Sequence, residues 1–145
     1  MVNSKIRILL KKQIKFVCDT EMKSLKPGNV HKFSEGHDMN VQDFFKSSLI
    51  ISKCLTKNNL DLGKKILISV NEIQNKIKKN TNLGIILMLS PIATIVQEEG
   101  VISKEELLKK IKSLIKKQNI KNSIPIFKAI SLTSPGGLGF SKKYD

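Results

Sequence analysis

The chain has 145 residues, the size of one ordinary domain, and is long enough to bury a hydrophobic core of its own. Its 26 basic and 12 acidic residues give a net charge of +14, which favours polyanionic partners such as nucleotides, nucleic acids or anionic membrane surfaces. A dedicated nucleic-acid role is disfavoured, because Arg7 is the one arginine and the chain has a single Tyr and no Trp to stack on bases.

Apolar runs and cysteines favour a cytoplasmic location. No uninterrupted apolar run approaches the roughly 20 residues that a membrane helix needs, and the N-terminus lacks the small-residue cleavage site of a secretory signal. The two cysteines, Cys18 and Cys54, have the wide spacing of core thiols in a reducing compartment. A disulfide between them stays open at this level, because the sequence does not give their separation.

Hydrophobic spacing of three and four residues predicts an all-α protein of about six helices and no strand. Asn40, Asp61 and Ser103 are the expected caps of the second, third and fifth helices. Pro91 is expected to kink or divide the fourth, which is apolar almost all round and therefore central. The predicted helices cover residues 3–23, 41–55, 62–78, 83–97, 104–115 and 125–132. We expect one helical domain over residues 1–145, arranged as a bundle or array.

The connection between the first two helices concentrates chemistry-bearing side chains. Both histidines of the chain, His31 and His37, lie in it. Carboxylates and lysines lie in this connection or within about a turn of its ends: Glu21, Glu35, Asp38, Asp43, Lys23, Lys26 and Lys32. These are the ingredients of a site for a magnesium-bound phosphate, because Mg²⁺ takes one or two carboxylates and completes its shell with water and phosphate oxygens. The composition alone fits a solvated connection equally well, and a structural zinc site lacks its usual four ligands.

Two later segments offer further phosphate contacts. Residues 80–84, NTNLG, precede the most apolar helix, where unpaired N–H groups favour an anion; the same residues also serve as ordinary helix caps. Residues 135–139, PGGLG, fit either a loop that approaches a phosphate or a flexible terminus. They do not form a Walker-type loop, because no Gly-Lys-Ser/Thr follows.

These segments occur in a recognisable order. Residues 24–31, SLKPGNVH, are followed by residues 36–39, GHDM, and then by Phe44 and Ser47. This pattern resembles the opening motif of the triphosphoribosyl-dephospho-CoA synthase family. Residues 80–84 are similar to the second block of that family, and residues 135–139 to a later block of its archaeal-type members.

The resemblance implies a transferase that joins ATP to 3′-dephospho-CoA and releases adenine, with Mg²⁺ as cofactor. It implies Glu21, His37 and Asp38 as catalytic residues, with Glu21 and Asp38 also on the metal. The substrate-binding residues that it implies are Lys26, Gly28, Asn29, His31, Asn80, Asn82, Gly136 and Gly137.

The sequence also departs from the family. Members are longer and carry later acidic and Gly-Asn-type segments, so the chain is expected to be the N-terminal portion of the family domain. Such a portion would work with a separately encoded C-terminal half or would self-associate, and exposed apolar surface would accompany either arrangement. The alternatives are a basic helical module for nucleic acid and a non-catalytic remnant or scaffold that keeps the fold.

Overall fold

A computed structural model describes residues 4–24 and 40–133 of the chain, and six α-helices account for most of them. Within these two ranges there is no strand, so the all-α prediction is confirmed. The helices are α1 (Ser4–Lys23), α2 (Val41–Leu55), α3 (Leu62–Ile77), α4 (Leu83–Glu99), α5 (Lys104–Lys116) and α6 (Ile120–Thr133).

The predicted caps begin three of the helices. The Asn40 side chain accepts a hydrogen bond from the backbone N–H of Asp43 at 3.0 Å, and the Asp43 carboxylate accepts one from the backbone N–H of Asn40 at 3.2 Å, which is a complete capping box. Asp61 caps α3 and Ser103 caps α5 through the corresponding single bonds. Gly100 ends α4 at a φ of 87°, as its position after the apolar run predicts.

The hydrophobic core lies between α1, α2, α3 and α4, with α6 closing it over α3. α4 is central, as predicted, because it packs against α1, α2, α3 and α5. Burying each Leu or Ile side chain contributes about 1.5–3 kcal/mol relative to leaving it in water. The core residues include Leu10, Ile14, Cys18, Ile51, Leu55, Ile66, Val70, Ile73, Ile86, Ala93 and Ala129.

The structure corrects expectations at two prolines. Pro91 does not divide α4, which continues from Leu83 to Glu99, and a kink at this position stays a prediction. The last helix begins at Ile120 rather than at Pro125, because the Asn119 side chain accepts from the backbone N–H of Asn122 at 3.0 Å and starts the helix earlier. Proline favours the first turn of a helix, but both prolines lie inside their helices here.

Pro125 lies over Gly63 where α6 crosses α3. A Cβ atom at Gly63 would stand 2.5 Å from the backbone oxygen of Asn122 and 3.3 Å from Cβ of Pro125. Real Cβ atoms do not approach oxygen so closely, so only glycine allows this contact between the two helices.

Both cysteines are buried and free, as expected for core thiols. Among the residues that the structure describes, no single helix is long and apolar enough to cross a membrane; only α4 and α5 taken together reach that length, and they are bent by 110°.

Candidate functional site

A polar cluster lies where the end of α1, the start of α2 and the turn between α3 and α4 meet. Its members are buried or half-buried, although serine, threonine, aspartate and lysine usually lie in solvent. Residues 25–39 fall outside the described ranges, but the chain leaves Ser24 and returns at Asn40, so both ends of the connection attach beside this cluster. Its residues are Asp19, Asp43, Ser47, Ser48, Lys79, Thr81 and Asn82.

An ion pair joins the start of α2 to the turn after α3. Lys79 Nζ donates to Oδ2 of Asp43 at 2.7 Å, and about a third of the Lys79 side chain remains exposed. The hydrogen bond from Lys79 lowers the pKa of Asp43 below its ordinary value, the partial burial opposes this shift, and the bond from the Asn40 backbone N–H adds to it. Asp43 is therefore a carboxylate at neutral pH that holds two segments of the chain together.

A second contact fixes the turn against α2. The Asn82 side chain donates through Nδ2 to Oγ of Ser47, which is fully buried and itself donates to the carbonyl oxygen of Phe44 at 2.9 Å. Asn82 stands at the N-cap position of α4 but has a φ of 62°, in the left-handed region, and its side chain makes no capping bond. The expected cap is therefore directed to α2 instead of to its own helix.

The start of α4 is consequently available to a ligand. Thr81 is 2% exposed, and its hydroxyl is the buried side-chain oxygen without a hydrogen-bond partner in the described part of the chain. Asn80 is half-buried, and its side chain also forms no hydrogen bond with the residues that the structure describes. A Cβ atom added at Gly84 would meet nothing within 4 Å, so open space adjoins the first turn. Unpaired backbone N–H groups and the positive end of the helix dipole favour an anion here.

The last turns of α1 contribute carboxylates. Asp19 accepts a hydrogen bond from Ser48 Oγ at 2.6 Å and pairs with Lys15. Burial raises the pKa of Asp19, but the hydrogen bonds from Lys15 and Ser48 outweigh it, so the net pKa is lowered. Burial together with the charges of Asp19 and Glu21 raises the pKa of the Cys18 thiol to about 12, so this thiol is not a nucleophile.

The described ranges include three of the residues predicted for the site. Glu21 is half-buried in the last turn of α1, and it takes part in an interaction there. Asn80 and Asn82 are half-buried in the turn before α4, and Asn82 is tied to the start of α2. The remaining predicted residues lie outside the described ranges, and their roles stay predictions: Lys26, Gly28, Asn29, His31, His37, Asp38, Gly136 and Gly137.

Sequence reasoning missed the residues that join the segments. The sequence analysis singled out neither Lys79 nor Asp19, which the structure places in contact with Asp43 and Ser48. The Asn40–Asp43 capping spacing was a usable signal that Asp43 begins a helix. No local pattern, however, shows that Asp43 pairs with a lysine 36 residues further along the chain.

The described residues contain one of the two carboxylates that are predicted to hold magnesium. In residues 4–24 and 40–133, no three His, Cys, Asp or Glu side chains lie close enough to hold a metal ion together. Mg²⁺ bound with a nucleotide needs one or two carboxylates, the remaining ligands being water and phosphate oxygens. Of the two carboxylates predicted as metal ligands, Glu21 lies in the last turn of α1, and Asp38 lies in the connection outside the described ranges.

Comparison with protein families agrees with the motif order. A family model described as ATP:dephospho-CoA triphosphoribosyl transferase (CitG) matches residues 12–145, which is most of the chain. The chain belongs to this transferase family. The match includes the connection between α1 and α2, the turn before α4 and the glycine-rich segment at residues 135–139. Comparisons with curated proteins and with solved structures gave no match.

Proposed function

We propose that this member of the ATP:dephospho-CoA triphosphoribosyl transferase family binds ATP at the start of α4 and transfers its triphosphoribosyl group to 3′-dephospho-CoA. In this reaction, a ribose hydroxyl oxygen of dephospho-CoA forms a bond to C1′ of the ATP ribose. The glycosidic bond from C1′ to adenine breaks, and the hydroxyl proton is finally carried by the released adenine. Atoms and electrons balance without a further reactant.

One observation carries the proposal. The second family motif, at residues 80–84, is held against the start of α2 by the contacts of Lys79 with Asp43 and of Asn82 with Ser47. The first motif continues to Ser47, and Ser47 accepts the hydrogen bond from Asn82 of the second motif. The contact joins two motifs across 35 residues of sequence, which supports the interpretation that they belong to one binding site.

The triphosphate is the part of ATP that this place suits best. An anion would find three suitable features there: the unpaired backbone N–H groups at the start of α4, the Thr81 hydroxyl without a partner, and the open space at Gly84. Lys26 and His31 of the connection would add positive charge to the same phosphates. Magnesium bound to the triphosphate would supply charge neutralisation, and Glu21 and Asp38 are the residues that would hold it.

The reacting carbon needs a nearby negative charge. Displacement of a base from a ribose passes through oxocarbenium character, which a carboxylate stabilises, by analogy with glycoside hydrolysis. Glu21 and Asp38 are the candidates for this role. His37 is the candidate acid–base group that passes the hydroxyl proton towards adenine.

Adenine release tests the activity directly. The full chain is incubated with ATP, Mg²⁺ and 3′-dephospho-CoA, and free adenine is measured by chromatography. We expect Glu21→Gln and Asp38→Asn to lower the rate at least about a hundredfold, the typical scale for a group that acts on the transition state. The matched control is Glu105→Gln on the exposed first turn of α5, which should leave the rate unchanged.

A measurement of ATP binding distinguishes a family member that is inactive from a protein to which the ATP site has been wrongly assigned. Calorimetry should detect ATP binding in the presence of Mg²⁺, and Asn80→Ala should weaken it, whereas Asn75→Ala on the exposed side of α3 should not. Binding without adenine release would identify a non-catalytic member of the family. Absence of ATP binding, in a chain that circular dichroism shows to be folded, would contradict the proposal.

A further inference from the structure

A groove between α2 and α3 begins next to the candidate site. It has a volume of about 440 Å³, within the range of roughly 300–1,000 Å³ for small-molecule sites. Its α2 side follows one helix face from Lys46 to Cys54, a length of about 12 Å at 1.5 Å per residue, and continues to Lys57 just after the helix end. Lys46 stands one turn after Asp43, and its charge contributes to lowering the pKa of that carboxyl, so this end of the groove adjoins the polar cluster.

The charge of the groove is strongly positive. Four lysines and one glutamate line it, which gives a net charge of +3: Lys46, Lys53, Lys57, Lys76 and Glu72. Glu72 is already paired with Lys76 on the same helix. In the part of the chain that the structure describes, no carboxylate lies within ion-pair distance of Lys46, Lys53 or Lys57. The groove therefore presents positive charge that carboxylates of the described residues do not neutralise.

Between these lysines the floor of the groove is apolar. Leu49 is 42% exposed although it is a large hydrophobic side chain, and Ile50, Ile77 and Cys54 complete the floor. Burial raises the pKa of the Cys54 thiol, so Cys54 acts as an apolar surface and not as a reactive thiolate. A ligand that matches this lining has anionic groups and an uncharged arm in one molecule.

We propose that this groove binds the acceptor substrate, a nucleoside diphosphate ester with an uncharged arm, for which 3′-dephospho-CoA is the probe. The attacking ribose hydroxyl then lies at the Lys46 end, beside the triphosphate site. The diphosphate contacts Lys46 and Lys53, and the pantetheine arm lies on Leu49 and Ile50. This assignment rests on the proposed transferase function, since that reaction requires the two substrates to meet at one end of the groove.

Calorimetric titration of the full chain with 3′-dephospho-CoA tests the groove. The double variant Lys46→Gln/Lys53→Gln should bind about tenfold more weakly, as expected for the loss of charge-assisted contacts to a diphosphate. The matched control Lys109→Gln/Lys112→Gln removes the same charge from the exposed face of α5 and should change the affinity less than about twofold. Leu49→Ser should weaken dephospho-CoA about threefold and leave ATP binding unchanged, because ATP has no such arm.

The experiments distinguish an error in the groove assignment from an error in the proposed transferase function. The groove assignment is overturned if the wild-type chain does not bind dephospho-CoA, if the groove variant binds it as tightly as wild type, or if the α5 control loses as much affinity. ATP binding and adenine release that survive such a result would leave the transferase function standing. Groove-dependent binding of dephospho-CoA, without any ATP binding, would instead support the groove and contradict the transferase function.

Discussion

The Thr81 hydroxyl allows a sharp test, because stability and ligand binding should change in opposite directions. A buried hydroxyl without a hydrogen-bond partner costs about 1–3 kcal/mol of desolvation, and Thr81 is such a case at 2% exposure. Thr81→Val replaces the hydroxyl with a methyl group of nearly the same size and keeps the β-branch. We therefore expect the free energy of unfolding to rise by about 1 kcal/mol, which raises the melting temperature by roughly 4 °C in a domain of this size.

Thr94→Val is the matched control on α4. Thr94 is equally buried, at 3% exposure, but its hydroxyl donates to the carbonyl oxygen of Ser90 at 2.9 Å. Removing a satisfied hydroxyl should lower the free energy of unfolding by about 1 kcal/mol. Urea denaturation followed by circular dichroism measures both variants, and a fall for Thr81→Val as large as that for Thr94→Val would refute the reasoning about stability.

Binding supplies the second half of the test. If the Thr81 hydroxyl contacts the triphosphate, Thr81→Val should weaken ATP about tenfold, the typical effect of losing one hydrogen bond to a charged group. At an ATP concentration one hundred times the wild-type Kd, ligand stabilisation is about 2.7 kcal/mol, and it should fall to about 1.4 kcal/mol in the variant. Equal ATP-induced stabilisation of Thr81→Val and wild type would show that this hydroxyl does not face the nucleotide.

Three further predictions concern the fold. In a double-mutant cycle, Asp43→Asn and Lys79→Met should show a coupling of about 1 kcal/mol in urea denaturation, a modest value because a third of the lysine is exposed; no coupling would contradict the ion pair. Burial lowers the pKa of Lys65 in the folded chain below its ordinary value of 10.5. Between the folded and the unfolded pKa the unfolded chain binds more protons, so the free energy of unfolding rises with pH in that range. Lys65→Met should flatten this rise in urea denaturation at a series of pH values, and an unchanged slope would contradict the lowered pKa. Gly63→Ala should lower the free energy of unfolding by about 2 kcal/mol through a clash with α6, whereas Gly84→Ala, which meets open space, should not lower it, and thermal melts compare the two.

The periodicity of the sequence was sufficient for the helices. Apolar spacing fixed α1 to α5 within a few residues, and the caps at Asn40, Asp61 and Ser103 were correct because capping depends on neighbours three residues apart. α6 was started too late because Pro125 was given the first helical position, which is its commonest place. The Asn119 cap, a local signal, starts the helix five residues earlier. The packing of Pro125 over Gly63, in contrast, leaves no signal in the local sequence.

The sequence motifs of the candidate site could be predicted, but the contacts that bring them together could not. The connection after α1 and the segment at residues 80–84 were singled out from their residue types and from the family resemblance. Their common location depends on pairs such as Asp43 with Lys79 and Asp19 with Ser48, which are 36 and 29 residues apart. In a chain with 26 basic residues, composition does not indicate which lysine meets a given aspartate.

The turn before α4 departs from local rules in several ways at once, and this coincidence supports a ligand site there. Lys78 and Asn82 both have left-handed backbone conformations, at φ values of 59° and 62°, which β-carbon-bearing residues adopt at some cost. Asn82 does not cap its helix, and Thr81 between them buries a hydroxyl without a partner. The caps of α2, α3 and α5 follow the ordinary rules. Asn59 also has a φ of 59°, but within the described residues a missing cap and an unpartnered buried hydroxyl occur together in this turn. A turn that only connected two helices would gain stability from a capping side chain and a satisfied hydroxyl, whereas a turn that receives an anion needs its N–H and O–H groups left open.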